Sequence, residues 1–107
     1  MSKVTSMDSM FWNAYNFNNG GEPLDWENTV NVENMSSMFC LASSFNQKIS
    51  GWDVSSVTIM DEMFYDADSF NQDISEWNEH IAEDIRHTDF SIGCPIETAY
   101  HPYPSWD

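Results

Sequence analysis

The sequence predicts an α/β repeat fold: a short stack of coils of about 25 residues, each holding one short helix and one short strand, closed by a non-repeat C-terminal cap. Three observations predict it. The string Met-x-x-Met-Phe-x-x-Ala-x-x-Phe-Asn is written at Met7–Asn18, Met35–Asn46 and Met60–Asn71. Its apolar residues follow a helical period. Residues 79–107 carry none of the repeated pattern. A motif recurring at this spacing marks units that bury their apolar sides against one another.

The helix rests on Met35, Met38, Phe39 and Ala42, and on Met60, Met63, Phe64 and Ala67, which fall at i, i+3, i+4 and i+7. Thr5 with Asp8 and Thr58 with Asp61 read as capping boxes, and Glu33 weakens the middle one. The strand follows at Gln47–Ser50 and Gln72–Ser75, flanked by Phe45, Ile49 and Trp52 and their equivalents Phe70, Ile74 and Trp77. These large residues are expected to stack as ladders. Asn18, Asn46 and Asn71 stand between helix and strand, where their amides suit backbone groups freed at a turn. The first copy is longer, and its extra residues lie beside Gly20, Gly21 and Pro23, which predicts a surface loop. The repeats are placed at about 1–29, 30–54 and 55–78.

The strings SMFCLASSFNQKISGWDVSSVT (37–58) and EMFYDADSFNQDISEW (62–77) resemble the repeat of BspA-like leucine-rich-repeat surface proteins, which recur in mycoplasma lipoproteins and other microbes. The resemblance covers roughly residues 4–78 and is degenerate in the first copy. It implies a right-handed, leucine-rich-repeat-like solenoid used for surface display, adhesion or scaffolding. The family carries no catalytic residues to transfer.

Composition bounds the partners. The 107 residues are 41% hydrophobic and 15% aromatic, enough for one domain with a modest core. Eighteen acids against three bases give a formal charge of −15, which repels phosphate backbones and anionic lipid. Nucleic acid is therefore excluded as a partner, and proteins with basic surfaces are favoured. Adaptation to high salt explains the same charge. No apolar run is long enough to span a membrane.

No enzyme, metal or cofactor site is expected. His80, His87 and His101 lie in the tail near Cys94 without the paired spacing of a zinc site, and no serine sits in a nucleophile elbow. Cys40 and Cys94 read either as free thiols or as a bridge stapling the tail to the middle coil. Trp12, Cys40 and Tyr65 share one outward position per repeat. This row reads as a protein contact or as a floor for the tail. The tail itself is expected to form a helix over 79–88 and then a segment carrying Tyr100, Tyr103 and Trp106 among prolines. That segment caps the last coil or docks into a neighbouring protein.

Two roles fit. One is a non-enzymatic protein-binding module for surface adhesion, at the cell surface or secreted. The other is a small accessory or scaffold subunit of a larger assembly, organellar or otherwise.

Overall fold

The computed structural model describes residues 4–22, 26 and 29–106. Its organising feature is register between the repeats. Ser6 bridges Asn34, Asn34 bridges Ile59 and Ile59 bridges Arg86, each in parallel. From each bridge, alternate N–H groups reach across to the next copy. Met7, Ser9, Phe11 and Asn13 donate to the carbonyls of Asn34, Ser36, Met38 and Cys40 at 2.8–2.9 Å. Met35, Ser37, Phe39 and Leu41 donate to Ile59, Asp61, Met63 and Tyr65 at 2.8–3.0 Å.

Neither the helix nor the strand expected of each coil forms. Among the described residues the regular elements are four 3₁₀ turns: Asn19–Gly21, Ser75–Glu79, Thr98–Tyr100 and Pro104–Trp106. This overturns the α/β reading and the right-handed, leucine-rich-repeat-like solenoid with it. The body is mostly coil, with a radius of gyration of 12.3 Å and extents of 30 × 28 × 19 Å.

The reason lies in the backbone. In the middle copy Met38 N–H returns to Met35, Cys40 to Ser37, Ala42 to Phe39 and Phe45 to Ala42, so the cassette is a chain of linked four-residue turns. Ser37 and Leu41 hold φ of 56° and 60°, left-handed values that end a helix at once. The same two positions are left-handed in the other copies, at Ser9 and Asn13 and at Glu62 and Asp66. Turns repeated every four residues bury i, i+3, i+4 and i+7 as well as a helix does. Met35, Met38, Phe39 and Ala42 are all fully buried.

The strand fails for a different reason. At the recurring asparagines, successive copies are joined by side chains rather than by a backbone ladder. Asn18 Oδ1 accepts Asn46 N–H at 2.8 Å, and Asn46 Oδ1 accepts Asn71 N–H at 2.9 Å. Gln72 Nε2 donates to the Asn46 carbonyl at 3.2 Å. The expected capping acids are also redirected: Asp61 accepts the Thr88 N–H at 2.9 Å and pairs with Arg86 at 2.7 Å.

The expected side-chain ladders are present. Phe11, Phe39 and Phe64 stack at 5.4 and 5.5 Å, and Phe17, Phe45 and Phe70 at 5.7 and 5.9 Å. Trp26, Trp52 and Trp77 form a third column at 5.4 and 6.4 Å. Within each copy the two phenylalanines lie face to face, at 4.3, 4.2 and 4.1 Å. Aromatic burial of this kind is a large apolar contribution. In the first copy the insertion forms the exposed turn Asn19–Gly21, with Gly20 and Gly21 left-handed. Pro23 and Lys3 lie outside the described residues.

Over 79–88 turns replace the expected helix. Beyond them the tail follows the same path as the repeats. Met60, Glu62, Phe64 and Asp66 donate to the carbonyls of Arg86, Thr88, Phe90 and Ile92 at 2.7–2.8 Å. Asp89 and Gly93 take up the two left-handed positions. Asn71 Oδ1 accepts the Glu97 N–H at 3.0 Å, which continues the asparagine relay. A fourth segment is thus laid in register without the Met-Phe signature.

Candidate protein-contact surface

Register places Trp12, Cys40, Tyr65 and Ile92 at one position of successive segments, because Asn13, Leu41 and Asp66 donate in turn to the carbonyls of Cys40, Tyr65 and Ile92. The row foreseen as Trp12, Cys40 and Tyr65 is therefore aligned, and it gains Ile92. Its exposure is uneven. Trp12 and Ile92 are 53% and 54% exposed at the two ends, while Tyr65 is half-buried and Cys40 is buried. Burial first and the Glu62 carboxylate second push the Cys40 thiol above its ordinary pKa. Both cysteines are free, so no bridge staples the tail.

The first segment carries most of the exposed apolar surface. Met10, Trp12 and Tyr15 are 49%, 53% and 59% exposed; Val30, at the start of the second repeat, is exposed separately. Met10 shows why: its equivalents Met38 and Met63 are fully buried between neighbours, and Met10 stands at the end of the column. Phe11, Phe17 and Trp26 are half-buried for the same reason.

At the opposite end the tail covers the apolar side chains of the last segment, not its backbone edge. Trp106 stacks on His87 at 4.3 Å, meets Phe90 edge-on at 5.1 Å, and donates its indole N–H to the Glu83 carbonyl at 3.0 Å. The Tyr103 hydroxyl donates to the Ile81 carbonyl at 2.6 Å. Tyr100 accepts the Ile74 N–H through its carbonyl at 3.0 Å, and the Glu97 carboxylate beside its phenol holds that group above its ordinary pKa. The three tail aromatics named from the sequence are thus turned inward to different degrees, Trp106 most completely.

One pair escaped the sequence reading. Ser91 takes the place in the fourth segment that Phe64 holds in the third, and its hydroxyl lies 2.7 Å from His101 Nε2. His101 Nδ1 lies 3.0 Å from the Glu97 carbonyl, which only accepts, so Nδ1 donates to it. The pair satisfies polar groups that are 9% and 1% exposed. Sequence spacing gave no signal for it, because a Ser–x₉–His separation is shared by no repeat.

Beside this pair runs an open groove of about 480 Å³, lined by residues 87–94 and Trp106. Among the described residues no group of three or more His, Cys, Asp or Glu side chains is placed to hold a metal ion. No described helix is long and apolar enough to cross a membrane. Searches of curated proteins and of solved structures return no match to the chain. The repeat register and the family comparison converge on the same stretch: the model described as Mycoplasma protein of unknown function, DUF285, matches residues 1–91, and the chain belongs to that family.

Proposed function

We propose that this chain is a non-enzymatic protein-binding module that acts in surface adhesion or interaction. The observation that carries this reading is the exposure of Met10, Trp12 and Tyr15 within six residues of one segment. Large aromatic and methionine side chains gathered on a surface are the composition of protein contact sites. Family membership and the resemblance to BspA-like surface repeats support display at the cell surface or secretion. The surrounding charge of −15 favours a partner with a basic face.

Binding of purified extracellular-matrix and cell-surface proteins to the immobilised chain tests this, with Trp12→Ala/Tyr15→Ala measured alongside. Saturable binding that the double variant loses, at unchanged melting temperature, is the expected result. Binding that survives the double variant, or none across the panel, overturns it. Labelling of intact cells with an antibody to the chain tests display at the surface.

A second reading, an accessory or scaffold subunit, draws on the half-buried Phe11, Phe17 and Trp26, whose equivalents are buried between a preceding and a following segment. A chain seated in an assembly would cover them.

A further inference from the structure

Each of the three contacts between successive segments uses the same four rungs, and both ends of the series are left half-made. At the last segment, the N–H groups equivalent to those that donate elsewhere are those of His87, Asp89, Ser91 and Gly93. Among the described residues none of these four has an acceptor. They border the 480 Å³ groove. At the first segment, the carbonyls equivalent to those that accept elsewhere belong to Ser6, Asp8, Met10 and Trp12. Among the described residues none of these receives a backbone donor. One edge of the molecule is thus a row of donors, and the other is a row of acceptors in the same register.

We propose that the groove along residues 87–93 of one copy receives the edge of residues 6–12 of a second copy, forming the same four N–H to carbonyl rungs that join segments within the chain. The second copy is the occupant argued from the page, because it presents the matching carbonyls at the matching spacing. Unpaired strand-like edges are templates for such addition. The apolar part of the contact is also matched. Ile92, 54% exposed, meets the next copy's Trp12, so the row Trp12–Cys40–Tyr65–Ile92 continues across the contact, while Phe90 stays buried beneath Trp106 and Met10 lies along the rim of the groove.

The two edges differ, so the contact is head-to-tail and does not close; it builds short linear oligomers. Charge opposes it. Each copy carries −15, and Asp89 and Asp8 are brought near the contact. Added salt screens this repulsion, so association strengthens with ionic strength, the reverse of a salt-bridged interface. This goes beyond the binding role proposed above and uses backbone edges. Its test needs no other protein, so its failure leaves that role to its own experiment.

Sedimentation velocity of the full chain, over a range of concentrations at low and high salt, tests the proposal. Average mass is expected to rise with concentration, and more steeply at high salt. Met10→Asp and Ile92→Asp, at positions 49% and 54% exposed, should each weaken association at least about tenfold while keeping the wild-type melting curve. An equal mixture of Met10→Asp and Ile92→Asp should form a pair through its two intact edges and nothing longer. Val30→Asp, on an exposed residue outside both edges, should associate as wild type. A strict monomer under all conditions overturns the proposal. So does association that Val30→Asp weakens as much as Met10→Asp.

Discussion

Asn46 lends its side-chain oxygen to the backbone N–H of Asn71, 25 residues further on, at 2.9 Å. The same atom also accepts from Gln72 Nε2 at 3.1 Å. With Asn18 before it and Asn71 after it, this amide belongs to a relay that crosses all four segments. The relay replaces the backbone ladder that a strand would have supplied. Removing the Asn46 side chain takes its acceptor from the exposed Asn71 N–H and from the part-buried Gln72 amide, at a cost of about 0.5–1.5 kcal/mol. Asn46→Ala should lose that much in urea unfolding. Asn46→Asp keeps an acceptor and should lose clearly less; equal losses would show that the relay is not the source of the effect.

The ring columns set a second expectation. Phe45 stacks against Phe17, Phe39 and Phe70, and is fully buried. Phe45→Ala should cost about 3–5 kcal/mol, as large-to-small core changes do. Phe17 holds the same position at the open end and is half-buried, so Phe17→Ala should cost distinctly less. Thermal melts of the two variants decide it. Equal costs would mean that the end of the column is as well packed as its middle.

The thiols give a pH dependence. Burial pushes the Cys94 thiol up to about 11, and Cys40 is shifted in the same direction. An unfolded cysteine ionises near about 8.5. Below that pH both states keep the proton and stability is unaffected. As pH rises from there toward 11, the unfolded state sheds protons that the folded state retains, so stability falls. Alkylation at neutral pH should be slow for both residues until denaturant is added. Urea midpoints measured across this window should fall with pH, and fall less in Cys94→Ala.

Left-handed backbone yields the fourth prediction. Gly93 has φ of 77°, and a Cβ there would collide with Asp66 Oδ1. Gly93→Ala should therefore destabilise by at least about 1–2 kcal/mol. Glu62 occupies the other left-handed position at φ 55° and is exposed. Glu62→Gly relieves a strain of about 1–2 kcal/mol and adds a smaller unfolded-state entropy cost, for a net gain of roughly 0.5 kcal/mol. Opposite signs in the two melting shifts are the expected result.

What the sequence revealed, and what it hid, follows from the same geometry. The copies, their register and the ladders of Phe and Trp were legible because side-chain identity recurs. The local conformation was not. Apolar residues at i, i+3, i+4 and i+7 suit a helix, yet linked turns with left-handed third residues place them on the same side. Glycine would have signalled those turns, but Ser37, Leu41, Glu62 and Asp66 hold the left-handed positions instead. Gly93 alone carries the expected residue, in a segment whose other landmarks had been replaced. There Phe90 stands for methionine, Ser91 for phenylalanine and Ile96 for another phenylalanine, so the backbone repeat outlived its sequence signature. In the contact row, spacing fixed the alignment of Trp12, Cys40 and Tyr65. Cys40 is nonetheless buried while Trp12 at the end of the row is 53% exposed, a difference that spacing does not report.

Trp26, Trp52 and Trp77 lie nearly parallel, with interplanar angles of 5° and 16° between neighbours. Indoles fixed rigidly in such an asymmetric stack give near-ultraviolet circular dichroism, so that signal is an optical gauge of whether the column is packed.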